Sequence, residues 1–391
     1  MLIAVSVYGE DRPGIVHNIA KVLADNNANI VDIEQTVLQG MFVMFLVADV
    51  SKAISSVEEI EKKLKDVAKK INVNVSVAPF ERKYIGDKNL YVVTVLGRDR
   101  VGIVRDITAA FLEFGINIEK TSLTARDDLI SIEFVIDIGN ADPEVVKKRL
   151  RIEAERLGLD IVFQPYASFK RDKRLIVFDM DSTLVDAEII DELAKEAGVE
   201  KEVKELTERA MKGEIGFKEA LEERVRLLKG LPVEVLERIY SKVKLTNGAK
   251  ELIKSLKEAG YKVAVVSGGF SYFTNKLKEE LGLDYAFGNE LEIENGKLTG
   301  RIKGRIIDAE EKARIVEEIA RKEGIRLEDV VAIGDGANDK LMIERAGLGI
   351  AFNAKEALKE VADGSISKEN LIGLASVLKL PSEFKKRVVG D

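Results

Sequence analysis

The sequence predicts an α/β protein in three parts: two ferredoxin-like βαββαβ domains, then a Rossmann-like parallel sheet carrying a helical cap. Three observations lead there. Gly9-Glu10-Asp11-Arg12-Pro13-Gly14-Ile15-Val16 recurs as Gly97-Arg98-Asp99-Arg100-Val101-Gly102-Ile103-Val104, and Asn29-Ile30 recurs as Asn117-Ile118 at the same offset of 88 residues. A period that long marks a duplicated domain, not a solenoid. From Arg174 onward, short apolar runs alternate with helix-length segments, and each run ends in carboxylates, glycines or a hydroxyl. Finally, 391 residues with 46% hydrophobic and 33% charged content supply material for two or three globular cores.

The composition narrows the function classes. A net charge of −7 without a basic block gives no support to nucleic-acid binding. The chain has no cysteine, so disulfides, thiolate metal sites and a cysteine nucleophile are excluded. No apolar run approaches the length of a membrane span. The start lacks a basic leader and meets Glu10-Asp11-Arg12 early, so no signal peptide is expected and the cytoplasm is the expected compartment.

In the first copy, residues 2–8 are expected as a strand, and Pro13-Gly14 opens a helix towards Asn26. Residues 29–38 and 41–50 pair around Gln39-Gly40. Ile54, Val57, Ile60, Leu64 and Val67 then share a helical face, and Ile71, Val73, Val75 and Val77 alternate with polar residues as a half-buried strand. The second copy repeats this, with Asp142-Pro143-Glu144 as cap, first helical residue and first-turn charge. His17, the only histidine, falls on the first helix and is expected at the surface. Neither copy carries a catalytic set. Both carry a Gly/Asp/Arg turn opening a helix, which either suits a small anion or simply needs its glycine for the turn.

These residues resemble the ACT family of small-molecule-sensing domains, over about 1–82 and 88–166. The resemblance implies amino-acid ligands contacted by Asp11 and Asn29 in the first copy and by Asp99 and Asn117 in the second, and a homodimer or higher homo-oligomer. Val101 stands where the family usually has proline. Gln164 to Lys173 follows, with a proline, small residues and charges that fit a short hinge.

The third part, 174–391, opens with the strand Arg174-Leu175-Ile176-Val177-Phe178, ending in Asp179-Met180-Asp181-Ser182-Thr183. Alternation on a continuing strand would put both carboxylates on one side, where they need a cation between them. A helix from about Glu188 to Ala197 stops at Gly198, and the charged, helical 200–243 completes a cap over about 186–245. Arg224 within it is a candidate clamp for a carboxylate or phosphate. Residues 248–258 are expected as helix, and Tyr261 to Val266 as a buried strand leading into a strand-to-helix turn, Ser267-Gly268-Gly269-Phe270, that suits a phosphate cradle. Asn295-Gly296 predicts a hairpin turn, and Asp308 caps a helix with Lys312 in its first turn. The last expected strand, Val330 to Ile333, ends in Gly334-Asp335-Gly336-Ala337-Asn338-Asp339. Oxygen-only ligands beside a phosphate point to magnesium over zinc. No P-loop sequence occurs. With no histidine or cysteine to serve, a carboxylate is the remaining nucleophile, forming an aspartyl-phosphate.

These four motifs resemble the haloacid dehalogenase superfamily, and within it most nearly the enzymes that act on a phosphorylated amino acid. The resemblance implies Asp179 as nucleophile and Asp181 as general acid/base. It implies magnesium held by Asp179, the Asp181 carbonyl oxygen and Asp335, and phosphate bound by Ser267, Gly268 and Lys312 with support from Asn338. Asp339 is expected as a supporting carboxylate near the metal or Lys312. In the cap, Glu188 would meet a substrate ammonium and Arg224 its carboxylate, with Met211 and Phe217 closing the pocket. The implied reaction is magnesium-dependent hydrolysis of O-phospho-L-serine to serine and phosphate, the last step of serine biosynthesis, regulated by an amino acid, serine first among candidates. Alternatives are a phosphatase for phosphothreonine, a phosphotransferase to homoserine, and a non-catalytic amino-acid sensor.

Overall fold

A computed structural model describes residues 1–82, 86–125, 130–367, 371, 373–378 and 380. Residues up to Asp87 form one compact unit and those from Lys88 another.

The first unit runs β1 (Leu2–Glu10), α1 (Ile15–Asp25), β2 (Asn29–Leu38), β3 (Met41–Asp49), α2 (Val57–Lys70), β4 (Val73–Phe80). Its antiparallel sheet has the order β2-β3-β1-β4. Ile3, Val5 and Val7 of β1 meet Ile15, Ile19 and Leu23 of α1 and Ile60 and Leu64 of α2 in a buried core. Ile54, expected on the α2 face, instead lies ahead of the helix and is 76% exposed. The chain is stopped there by Ser56, whose hydroxyl accepts the Glu59 N–H while the Glu59 carboxylate accepts the Ser56 N–H. His17 is exposed.

The second unit begins with the repeat: β5 (Leu90–Gly97), α3 (Ile103–Glu113), β6 (Asn117–Ala125), β7 (Ile130–Asp137), α4 (Pro143–Leu157), β8 (Asp160–Pro165). The duplication is kept at the level of torsion angles. Gly14 and Gly102, which open α1 and α3, sit at φ 96° and 100°, a region L side chains avoid. Asp142 caps α4 as expected, with Pro143 in the first turn.

The chain continues through α5 (Tyr166–Lys170), β9 (Leu175–Phe178), α6 (Ile189–Ala197), α7 (Glu200–Met211), α8 (Phe217–Leu227), α9 (Glu234–Tyr240), α10 (Ala249–Glu258), β10 (Lys262–Phe270) and α11 (Ser271–Leu281). Then come β11 (Tyr285–Glu294), β12 (Lys297–Lys303), α12 (Ala309–Glu323), β13 (Val330–Gly334), α13 (Lys340–Arg345), β14 (Leu348–Phe352), α14 (Glu356–Lys359), β15 (Gly364–Ile366) and α15 (Gly373–Val377). The sheet order is β12-β11-β10-β9-β13-β14-β15-β8-β5-β7-β6. From β9 the chain proceeds to β10 on one side and later to β13 on the other, both parallel to it. That makes the end of β9 the switch point, where open α/β sheets hold their ligands.

Three features differ from expectation. β13 is not the last strand, since β14 and β15 extend the parallel sheet. The segment 164–173 is not an open hinge: Gln164 and Pro165 still pair with β5, and α5 follows at once. Most consequentially, β8 pairs antiparallel with β15, so the second βαββαβ domain and the parallel domain share one sheet. Ile161-Val162-Phe163 is an uninterrupted apolar run buried throughout, as a strand covered on both faces should be. Among the described residues no helix is long and apolar enough to cross a membrane.

Candidate active site

The four residues of β9 are buried between neighbouring strands, which fixes the direction in which the chain leaves the sheet. The Asp179 N–H still bonds across to the Ile333 carbonyl at 2.9 Å. The strand then ends. The N–H groups of Leu184 and Val185 both turn back to the Met180 carbonyl, and Ser182 takes φ 55°. Asp179 and Asp181 therefore flank a tight turn and do not alternate along a continuing strand, because the buried Met180 anchors the turn. Asp181 Oδ1 accepts the N–H of Ile189, the first residue of α6, at 3.2 Å.

A cation does reach Asp179, but it lies between Asp179 and Asp339 and not between Asp179 and Asp181: it is Lys312. It is fully buried, with Nζ 2.8 Å from Asp179 Oδ1 and 2.7 Å from Asp339 Oδ1. Burial alone would push its ammonium down, but Asp179 and Asp339 together push it up further, so it stays charged. Asp339 is itself pinned, its Oδ2 accepting the N–H groups of Asp335 and Gly336 at 3.1 Å. Burial, then the Asp339 charge, hold Asp179 well above the ordinary carboxylate range despite Lys312. Burial and the nearby Glu188 raise Asp181 to about 8, and burial with Asp339 raises Asp335 to about 7.

Carboxylate oxygens of Asp179, Asp335 and Asp339 lie within 4.8 Å of one another. With Asp339 committed to Lys312 and two backbone N–H groups, Asp179 and Asp335 are the pair left facing a cation. This donor set is all oxygen, suited to a hard ion, and burial first, then the neighbouring carboxylates, raises the affinity of both groups for protons.

Ser267-Gly268-Gly269-Phe270 is extended and belongs to β10, with a bulge before Phe270 re-pairs with Asn289. The expected turn is thus a bulged strand end. Glycine is needed at 269 for space, since a Cβ there would lie 2.7 Å from Asp181 Oδ2. Ser267 Oγ accepts the Gly269 N–H at 2.8 Å, leaving its own hydroxyl hydrogen to donate. Asn289, buried and unforeseen from the sequence, donates to the Gly268 carbonyl at 2.7 Å and accepts the Ile307 N–H at 2.8 Å. It ties the glycine segment to the approach of α12, whose cap Asp308 also receives Lys218 from α8 at 2.9 Å.

Helices α6 to α9 form the cap, and beneath it lies a cavity of about 650 Å³. Asp179, Asp181, Asp335, Ser267, Gly268 and Asn338 line it from the sheet, and Glu188, Met211, Phe217 and Arg224 from the cap. Lys312 lies behind Asp179. All the expected residues of this half therefore converge. Ser182 donates to Glu188 Oε1 at 2.8 Å. The Arg224 guanidinium donates to the Ala220 carbonyl at 3.1 Å and to Thr207 Oγ1 at 3.3 Å, and among the described residues has no carboxylate within 4.0 Å. Thr207, Asp191 and Lys355 also line the cavity and were not singled out by their sequence.

The βαββαβ domains are less convergent. Asp99 lines a second cavity, of about 740 Å³, with Arg100, Gly102 and Arg105 at the head of α3. Asn117 does not line it, and its side chain donates to Glu119 Oε1 at 2.8 Å. Asp11 and Asn29 are exposed, and the Asp11 N–H bonds the Gly40 carbonyl at 2.8 Å.

Comparison with known proteins agrees with this geometry. The haloacid dehalogenase-like hydrolase family matches residues 176–344, and ACT domain families match 1–78 and 91–155. A phosphoserine phosphatase of Archaeoglobus fulgidus is 78% identical over 348 residues, 89% of this chain and 100% of that protein. The chain belongs to the phosphoserine phosphatase family. The phosphoserine phosphatase of Streptomyces coelicolor is 38% identical across 93% of this chain and 88% of its own length. A solved phospho-aspartyl intermediate analogue of phosphoserine phosphatase is 54% identical with a TM-score of 0.50, covering 54% of this chain and 99% of that one. In this chain two ACT domains thus precede the hydrolase fold.

Proposed function

We propose that this chain hydrolyses O-phospho-L-serine to L-serine and phosphate, with Asp179 as the nucleophile. The observation that carries this is the Lys312 arrangement. Its ion pair and the Met180 N–H both fall on Asp179 Oδ1, leaving Oδ2 as the attacking oxygen. Attack on phosphorus forms the Oδ2–P bond and breaks the bond to the seryl oxygen, which takes its proton from Asp181. Held to about 8 by burial and Glu188, Asp181 carries that proton near neutrality. Water then attacks the aspartyl-phosphate, Asp181 recovers a proton from it, and the Oδ2–P bond breaks.

Ser267, the Gly268 N–H and Lys312 bind the phosphoryl oxygens, Asn338 supports that site, and Asp339 holds Lys312 in place. Magnesium would be held by Asp179, Asp335 and the Asp181 carbonyl oxygen. When bound it supplies the positive charge that phosphoryl transfer needs at these oxygens. Glu188 receives the substrate ammonium and Arg224 its carboxylate, with Met211 and Phe217 closing over them. The unpaired Arg224 beside an acidic Glu188 supports a zwitterionic substrate over a sugar phosphate.

The chain divides at 1–82, 88–166 and 174–391. Serine, or another amino acid, binds the ACT domains, at Asp99 in the second and at Asp11 and Asn29 in the first, in a cytoplasmic homo-oligomer. Phosphate release from phosphoserine in magnesium, abolished by EDTA, tests the activity. Release of equal rate from phosphothreonine, or transfer to homoserine in place of water, would redirect it.

A further inference from the structure

The cavity beneath the cap is lined by seven carboxylates, among them Asp191, Asp308 and Glu310, which take no part in the proposed reaction. A phosphomonoester dianion must enter past these groups, of which, among the described residues, only Asp179 and Asp308 hold a lysine, Lys312 and Lys218. Two cations line the cavity, Arg224 and Lys355. Lys312 lies behind Asp179, already shared between two carboxylates, and meets a phosphoryl oxygen only once that group has reached Asp179. Arg224, in the function proposed above, serves the substrate carboxylate. Lys355 is the cation left over. It has no carboxylate within 4.0 Å among the described residues, and its Nζ stands 3.9 Å from Met211 Sδ of the cap. Its own N–H bonds the Asp335 carbonyl at 3.2 Å, so its backbone is fastened to the loop that carries Asp335.

The next residue faces the other way. Glu356 Oε1 pairs with Arg151 Nη2 at 2.8 Å, and Arg151 belongs to α4 of the second ACT domain. Two residues earlier on α4, Arg149 grips Glu113, the last residue of α3, through two bonds of 2.8 and 2.6 Å. The other end of α3 opens at the Asp99 cavity. The seam beside this chain of contacts is stiff: the Phe163 N–H bonds the Asp363 carbonyl, and Asp160 accepts the Ser367 N–H, both at 2.8 Å.

We propose that Lys355 draws in and positions the phosphoryl group, and that the second ACT domain sets Lys355 through the Glu356–Arg151 pair. Lys355 is a positioning residue; the bonds made and broken remain those at Asp179 and Asp181. This inference rests on the function proposed above. Lys355 lines the cavity and its charge acts on Asp335, and added salt screens such a charge over a Debye length of about 8 Å at physiological strength.

The test is steady-state hydrolysis of phosphoserine by the full chain in magnesium at two ionic strengths, with melting temperatures of every variant. Lys355→Gln should raise KM about fivefold, leave kcat within about twofold and flatten the salt dependence of kcat/KM. Lys355→Arg should restore all three. Arg151→Gln and Glu356→Gln, which cut the pair from opposite sides, should each raise KM and add nothing in a double variant with Lys355→Gln. An unchanged KM in Lys355→Gln, or a loss confined to kcat, overturns the role of Lys355. Additive effects with Arg151→Gln overturn the link. Should the wild-type chain turn over no phosphoserine, the functional proposal fails separately. Affinity for inorganic phosphate, weaker in Lys355→Gln or not, then decides this one.

Discussion

Lys312 is a fully buried charge, and Asp179 and Asp339 depend on it. Removing it as Lys312→Ala leaves Asp179 and Asp339 buried without their counter-ion, a change that typically costs about 3–5 kcal/mol. Chemical denaturation should register that loss together with loss of turnover. Asp179→Asn should abolish phosphate release with the fold intact, and near-normal activity there would end the nucleophile assignment. Asp181→Asn should cost on the order of 10²–10⁴-fold in kcat, the usual worth of a positioned proton donor. The raised carboxylates also set a pH dependence for the metal-free protein. Asp335 and Asp181 favour their protonated forms in the fold, at about 7 and about 8 against an ordinary 3.8. Their contribution to stability is full below about 3.8 and is lost as pH rises through 7 to 8. In EDTA the melting temperature should therefore fall across that window, and magnesium should reverse the fall while releasing protons, as calorimetry in two buffers would show.

Among the elements, the bulged end of β10 is held by one side chain. Asn289 satisfies the Gly268 carbonyl and the Ile307 N–H together, so Asn289→Ala strands two polar groups and should cost about 2 kcal/mol. Phosphate, a product inhibitor of the proposed reaction, should bind that variant more weakly in a competition assay; unchanged inhibition would mean that the segment is rigid without Asn289. Legibility at this scale followed the range of the interaction. Asp142-Pro143 and Asn295-Gly296 are decided within a turn, and each forms where its residues imply. Asp179, Ser267, Lys312 and Asp335 were legible because each follows a short apolar run or opens a helix. Asn289 was not, since a single amide inside a strand looks the same whether or not two loops hang from it. Lys355 was one lysine among many for the same reason. One signal was present and passed over. β4 alternates, with Asn74 and Ser76 between valines, whereas β8 at the same place in the repeat carries the unbroken apolar run Ile161-Val162-Phe163. Alternation belongs to a strand with one face in water and an unbroken run to a strand covered on both.

At the scale of the molecule, that difference divides the chain unevenly. The second ACT domain shares hydrogen bonds with the catalytic sheet through β8 and β15, and the first unit ends at Asp87. Calorimetric melting should show a small transition for residues 1–87 and a larger one in which the second ACT domain melts together with the catalytic domain. A chain starting at residue 88 should keep the larger transition unchanged. One starting near residue 172 should melt earlier, because the short β15 becomes an edge strand. If the two ACT domains melt together and the catalytic domain separately, the shared sheet is not a cooperative unit. Strand pairing between parts so distant in sequence depends on loop closure over two hundred residues, which no local pattern encodes.

The β8–β15 seam also bears on how a duplicated gene segment can diverge. Tandem copies ordinarily remain exchangeable, and recombination between them tends to keep them alike. Here the second copy must present Ile161, Val162 and Phe163 to neighbours on both faces, a demand that Asn74 and Ser76 of the first copy would fail. Unequal crossing-over that put the first copy's last strand against β15 would leave polar groups inside the sheet. The packing of β8 thereby places a demand on the second copy that the first copy's last strand does not meet.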